Sequence, residues 1–116
     1  MTTQLIFVGE RRSPTAIARG WRWEDGRLAG KQLFDALYAL GIEPLHCRFA
    51  NAFEVGHIDG VRRLVAQGWT AIGMGKKAQQ RLRAERIPHR ELTHPAARGS
   101  IRLKANYLNH VREVLS

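Results

Sequence analysis

The chain is expected to fold as an α/β protein, a three-layer αβα sandwich around a four-stranded, mainly parallel sheet. Two observations predict this. Four short apolar runs alternate with stretches whose apolar residues recur at helical spacing, and glycine or proline stands where most of these segments should stop. Leu5-Ile-Phe-Val8 is a continuous apolar run ending at Gly9, the pattern of a strand buried on both faces. From Leu28 to Leu40, Leu33, Phe34, Leu37 and Leu40 follow helical spacing, and Gly41 stops the helix. Cys47-Arg-Phe-Ala50 is a weaker second strand, placed partly by context. Ile58, Val61, Leu64 and Val65 then share one helical face closed by Gly68. Trp69-Thr-Ala-Ile72 is a third strand ended by Gly73-Met-Gly75, where the glycines suit a tight turn. A basic helix runs from about Lys76 to Arg86 and halts before Pro88. Arg90-Glu-Leu-Thr93 is a short fourth strand leading into His94-Pro95. The last helix carries Leu103, Tyr107, Leu108, Val111, Val114 and Leu115. Residues 10 to 27 form one long connection rich in Arg, Gly and Trp, and a connection of that length in a small domain points to function.

Length and composition bound the rest. The 116 residues fit one domain, 1–116, and the 44% hydrophobic content supports a core. No apolar run approaches the roughly 20 residues that span a bilayer, and the first residues lack a signal-peptide pattern. The one cysteine, Cys47, excludes an internal disulfide and a cysteine-based metal cluster within a chain. A soluble, intracellular (cytoplasmic) domain with no membrane partner is expected, its oligomeric state open. The formal charge is +9, and fifteen of the nineteen cations are Arg. Arginine's planar fork matches phosphate and stacks on bases, so a polyanionic partner such as nucleic acid is expected. An Arg-rich coding bias would enrich Arg over Lys as well.

Parallel sheets place their chemistry at the carboxyl ends of the strands, which directs attention to four exits: Gly9-Glu10, Ala50-Asn51, Gly73-Met-Gly75 and His94-Pro95. Glu10 is placed to orient a water or act as a general base, although a loop acid paired with Arg11 or Arg12 fits as well. Asn51 offers an acceptor and two donors, enough to read a base edge, and equally suits a turn. His94 stands before a proline that stiffens its backbone, and an imidazole so held can donate to developing negative charge. His46, His57, His89 and His110 read as surface or boundary residues without metal-ligand spacing. Trp21 and Trp23, among arginines, suit base stacking or a lid on the core, and Trp69 suits the lid. Gly73-Met-Gly-Lys-Lys77 lacks the spacing of a nucleoside-triphosphatase loop. Lys76, Lys77, Arg81, Arg83 and Arg86 read first as a solvated face. Ser13 and Ser100 lack the setting of a catalytic serine.

Taken in order, Gly9-Glu10, Ala29-Gly30 opening a helix that ends in Gly41-Ile42, Asn51, and Thr93-His-Pro-Ala-Ala97 resemble the uracil-DNA glycosylase superfamily. The nearest likeness is to the subgroup with Gly-Glu-Ala-Pro-Gly and His-Pro-Ala-Ala motifs, and it runs from about Leu5 to Leu115. The resemblance implies that Glu10 positions the attacking water, that Asn51 reads the base edge, and that His94 stabilises the departing base anion. It implies that Trp23, or else Trp21, stacks on the flipped base. Arg98, Ile101 and Arg102 would belong to a loop that presses into the duplex, and Arg11, Arg12 and Ser13 would meet phosphate. The chain departs from the family in having Arg11 and Arg12 where small residues stand, so these side chains either fill the pocket or clamp a phosphate. The Lys and paired prolines that often follow the Asn are missing, and so are the cysteines of the iron–sulfur subgroup. No cofactor and no metal are therefore expected, and the chain resembles a minimal member.

The leading expectation is a hydrolase of DNA repair that flips uracil or another deaminated or damaged base from double- or single-stranded DNA and cleaves its N-glycosidic bond. The alternative is a catalytically silent module of the same fold that binds nucleic acid or a nucleotide. A third reading is a basic domain that docks on another protein, for which Glu10, Asn51 and His94 need not converge.

Overall fold

The computed structural model describes residues 4–27, 29–97 and 99–116. Four parallel strands, β1 (Leu5–Gly9), β2 (Arg48–Asn51), β3 (Thr70–Met74) and β4 (Arg90–Leu92), form one sheet in the order β2-β1-β3-β4. The expected α/β class and parallel sheet are thus observed. Among the described residues five α-helices accompany them: α1 (Pro14–Arg19), α2 (Ala29–Ala39), α3 (His57–Ala66), α4 (Lys76–Ala84) and α5 (Lys104–Leu115). Among the described residues no helix is long and apolar enough to cross a membrane.

Alternation along the strands divides the core into two layers. Leu5, Phe7, Ile72, Met74 and Leu92 face α2 and α5, where they meet Leu33, Leu37, Tyr107 and Val111. Ile6, Val8, Ala50 and Ala71 face α3 and α4, against Ile58, Val61, Ala78 and Leu82. Every residue of β1 is buried, as its unbroken apolar run requires. The edge strands instead carry exposed Arg48, Arg90 and Glu91, which discourage pairing with another chain.

The chain leaves β1 toward the α2 face and leaves β3 toward the α4 face, although the two strands are neighbours. Their carboxyl ends therefore flank a topological switch point, where the diverging connections leave a crevice.

Three details differ from the sequence reading. The long first connection contains α1, which buries no residue and so gives no apolar periodicity. Its signals are local instead: Ser13 Oγ accepts the Ala16 N–H at 3.1 Å, Pro14 opens the helix, and Gly20 closes it with φ 69°. Gly73 lies within β3 and not in a turn; a Cβ there would come within 3.1 Å of Gln79 and Leu82 of α4. The turn is made by Gly75 alone, at φ 88°. Finally, Cys47 precedes β2, closing a 3₁₀ turn over Pro44–His46. Leu28, where the sequence reading begins its first helix, lies outside the described residues.

Gln79 is one of the few buried polar side chains. Its amide nitrogen donates to the carbonyls of Gly73 and Leu92, both at 3.0 Å, and so clamps β3 to β4 just ahead of His94. Gln79→Leu, though more apolar, removes both bonds and leaves the Leu92 carbonyl only the Gly75 N–H, and is expected to lower the unfolding free energy by about 1–3 kcal/mol in urea denaturation. Leu37→Ala, in the opposite layer, is expected to cost about 2–5 kcal/mol by the same measurement.

Candidate functional site

The exits of β1 and β2 are stitched together beyond the last ladder pair, Gly9 and Asn51. The Gly9 carbonyl accepts the Ala52 N–H at 2.7 Å, and the Glu10 carbonyl accepts the Phe53 N–H at 2.9 Å. Gly9 is required here for its missing side chain. A Cβ would lie 2.9 Å from Cζ2 of Trp23 and 3.0 Å from Oδ1 of Asn51, so the indole packs directly against the strand end.

Asn51 is buried, at 4% exposure, and its side chain is engaged at both ends. Its Oδ1 accepts from Trp23 Nε1 at 2.9 Å, and its Nδ2 donates to Glu54 Oε2 at 3.2 Å. Its backbone N–H donates to Nδ1 of His57 at 2.9 Å, which leaves His57 Nε2 facing Glu54 at 3.6 Å. Arg12 Nε donates to the other Glu54 oxygen at 3.1 Å. Burial pushes the Glu54 carboxyl up, but hydrogen bonds from Asn51 and Arg12 outweigh it, and the group lies below the ordinary glutamate value.

Trp23 opens a 3₁₀ turn, Trp23–Asp25, in which Asp25 accepts the Arg22 N–H at 2.7 Å. Its ring stacks on Phe49, with centroids 6.5 Å apart at 20°, and tilts against His94 at 6.0 Å. Phe49 continues the aromatic column to Phe7 and Phe34. Trp21 lies farther out, with the Arg19 and Arg27 guanidiniums 5.6 and 5.7 Å from its ring.

His94 leaves β4 through a braced segment. The Thr93 N–H donates to His110 Nε2 at 2.9 Å, and the Thr93 carbonyl accepts from Tyr107 at 3.1 Å. The Ala96 N–H donates to His94 Nδ1 at 3.0 Å, so in the neutral ring the proton belongs on Nε2, which is then a donor. Burial lowers the imidazole pKa below its ordinary 6.5, with the Glu10 charge opposing. Neutral His94 is thus the resting form at pH 7.

These side chains wall a cleft of about 310 Å³ that also takes in Arg11, Arg12, Ser13, Trp21, Arg22 and Arg27. Its walls are mainly aromatic and small apolar groups, and guanidiniums ring them. A volume at the low end for ligand sites suits a group the size of a base or nucleoside. Glu10 stands at the edge of this space and not in its lining. Its carboxylate, 37% exposed, lies 3.5 Å from Lys77 and 3.9 Å from Arg11. Asn51, His94, Trp21, Trp23, Arg11, Arg12 and Ser13 therefore meet at one cleft with Glu10 on its rim.

Ile101 does not project as a wedge: it packs half-buried against the α2–α5 layer. Arg98 and the Arg102 side chain lie outside the described residues. Trp69 packs against the α3–α4 layer, beneath Arg48. Three contributors escaped sequence reading. Glu54, His57 and His110 each hold a strand exit from a distance, and two of them do so by accepting a backbone N–H. Only their nearness to Asn51, three and six residues on, could have flagged the first two.

Among the described residues no group of three His, Cys, Asp or Glu could hold a metal ion. The Cys47 thiol is pushed up to about 11 by burial and then by the Glu43 charge, so it stays protonated and is a poor nucleophile.

Two outcomes follow from this geometry. Gly9→Ala is expected to displace the Trp23 indole and cost about 1–3 kcal/mol, read as altered tryptophan fluorescence and a lower denaturation midpoint. His94 is expected to titrate below 6.5 by NMR. As the pH falls through that region the unfolded chain takes up a proton before the folded one, so stability falls with acid. Comparison with protein-family models and with characterised proteins finds no match to this chain, so its function is argued from the side chains of the cleft.

Proposed function

We propose that the chain hydrolyses the N-glycosidic bond of uracil or another deaminated or damaged base in DNA, after that base has turned out of its stack. The observation that carries this reading is the meeting of Asn51 and His94, from two separate strand exits, at one aromatic-walled cleft ringed by arginines, with Glu10 outside its lining but near enough for its charge to act on His94. Cleavage builds positive charge on the sugar and negative charge on the leaving base. The neutral His94 donates from Nε2 to a base oxygen as the C1′–N pair moves onto the base. Glu10 on the rim complements the sugar cation and takes a proton from the water that attacks C1′. Asn51 meets the base edge while the Trp23–Phe49 column receives its face. Arg11, Arg12, Arg22 and Arg27 hold the flanking phosphates.

A second reading, binding of nucleic acid or a nucleotide without hydrolysis, is favoured by one observation. Trp23 takes an acceptor site of Asn51, and Glu10 lies between Lys77 and Arg11.

Incubation with uracil-containing single- and double-stranded oligonucleotides, followed by alkaline cleavage at abasic sites, separates the two. Under the first reading strand breaks appear, and Glu10→Gln and Asn51→Ala each lower the rate by about 10²–10⁴-fold with binding retained. The rate of the unaltered protein should also fall with acid, as protonation of His94 Nδ1 breaks the Ala96 bond. Absence of breaks on every deaminated base, with binding that weakens steeply as salt rises, supports the second reading.

A further inference from the structure

Two aromatic rings beside the cleft each carry a pair of guanidiniums. Arg19 and Arg27 lie 5.6 and 5.7 Å from the ring centre of Trp21, and Arg11 and Arg81 lie 5.5 and 5.4 Å from that of Phe53. Arg11, Trp21 and Arg27 also line the cleft, so both clusters adjoin it. They belong to different helical layers. Trp21 and Arg27 stand in the connection that leads to α2, whereas Phe53 follows β2 and meets Arg81 of α4. A chain crossing the carboxyl edge of the sheet from one layer to the other passes both clusters and the cleft.

Neither ring is spent on the core. Phe53 is 42% exposed, Trp21 is half-buried, and neither packs in the two apolar layers. An aromatic ring and a guanidinium both offer flat faces on which a base stacks, and the guanidinium keeps N–H groups in its plane for phosphate. The two clusters differ in charge. Arg19 and Arg27 have no carboxylate within ion-pair distance among the described residues, so two like charges share one indole uncompensated. Arg81 is held by Glu85 at 3.0 Å, and Arg11 lies 3.9 Å from Glu10. The first cluster thus suits a phosphate and a base together, the second a base.

We propose that Trp21 and Phe53, each with its two arginines, are stacking subsites for the nucleotides on either side of the one in the cleft, and that they make a single strand the preferred partner. In a duplex the neighbouring bases are already stacked and paired, which closes their faces to these rings. In a single strand each base has a face to offer. The assignment rests on the reading of the cleft as a base site, not on hydrolysis.

Two short single strands of DNA with the same number of phosphates test the subsites on the whole chain. Both carry a central 2′-fluorinated uridine, whose glycosidic bond resists cleavage. One has every flanking base, and the other has tetrahydrofuran abasic analogues in their place. The charge is equal, so the difference in affinity reads stacking. The unaltered protein is expected to bind the full strand about 25-fold tighter than the abasic one. With folding checked by circular dichroism, Trp21→Leu and Phe53→Leu should each narrow that ratio about fivefold and leave binding of the abasic strand unchanged. A purely structural role for either ring would weaken both strands alike. Arg27→Ala should lower the slope of log affinity against log salt by about 0.7, whereas Phe53→Leu and Arg63→Ala, on the exposed face of α3, should not. Equal binding of the two strands by the unaltered protein overturns the subsites, and so does tighter binding of the matching duplex than of the full strand. Stacking-dependent binding by a protein that excises no uracil from ordinary DNA supports the subsites and overturns only the hydrolytic reading.

Discussion

The indole of Trp23 rests against the backbone of Gly9, and from that place it reaches Asn51, Phe49 and His94 together. The contact requires a strand that ends in glycine, because any Cβ would collide with the ring. It also requires that strand to be fixed, since a shifting β1 would carry the floor of the cleft with it. The sheet meets this need by burying all of β1 between β2 and β3. Close packing on both faces leaves a central strand little freedom, so its carboxyl end is a rigid reference point for side chains arriving from elsewhere.

What arrives there is held by backbone hydrogen bonding more than by surface charge. Each strand exit ends with amide groups that the ladder no longer satisfies, and burial makes an unpaired one costly. Two imidazoles solve this problem, His57 for the Asn51 N–H and His110 for the Thr93 N–H. The result is that the two residues best placed to touch a ligand, Asn51 and His94, sit on or next to backbone atoms pinned from the neighbouring helices.

The main strands and the chemistry-bearing exits are legible in the sequence because both follow from one periodic signal. An apolar run such as Leu5–Val8 marks a buried strand, a parallel sheet aligns the run ends, and the next residue is then at the site. Asn51 and His94 follow weaker runs, Cys47–Ala50 and Arg90–Thr93, which are placed by their position between helices more than by their own pattern. The periodic signal fails where structure is set by local caps or by long-range register. Helix α1 buries nothing, so no apolar period announces it, although Ser13-Pro14 and Gly20 are readable caps. Gly73 suggests a turn because glycine usually marks one, yet here it admits α4 close to β3. His110 meets Thr93 across seventeen residues, a contact that no local pattern encodes.

The same distinction bears on the net charge. On the α3–α4 side some arginines are paired, Arg62 with Asp59 and Glu85, Arg81 with Glu85, and Arg83 near Glu91, whereas Arg63 and Arg86 have no carboxylate within ion-pair distance among the described residues. Such exposed pairs contribute little stability, but they cancel one another's field. Around the cleft the pairing is also incomplete. Arg12 is engaged by Glu54, whereas Arg19, Arg22 and Arg27 have no carboxylate within ion-pair distance among the described residues, and two of them lie over Trp21. Arg22 and Arg27 line the cleft, so their guanidiniums place positive charge at its mouth, which under the proposed function would meet the phosphates of the DNA.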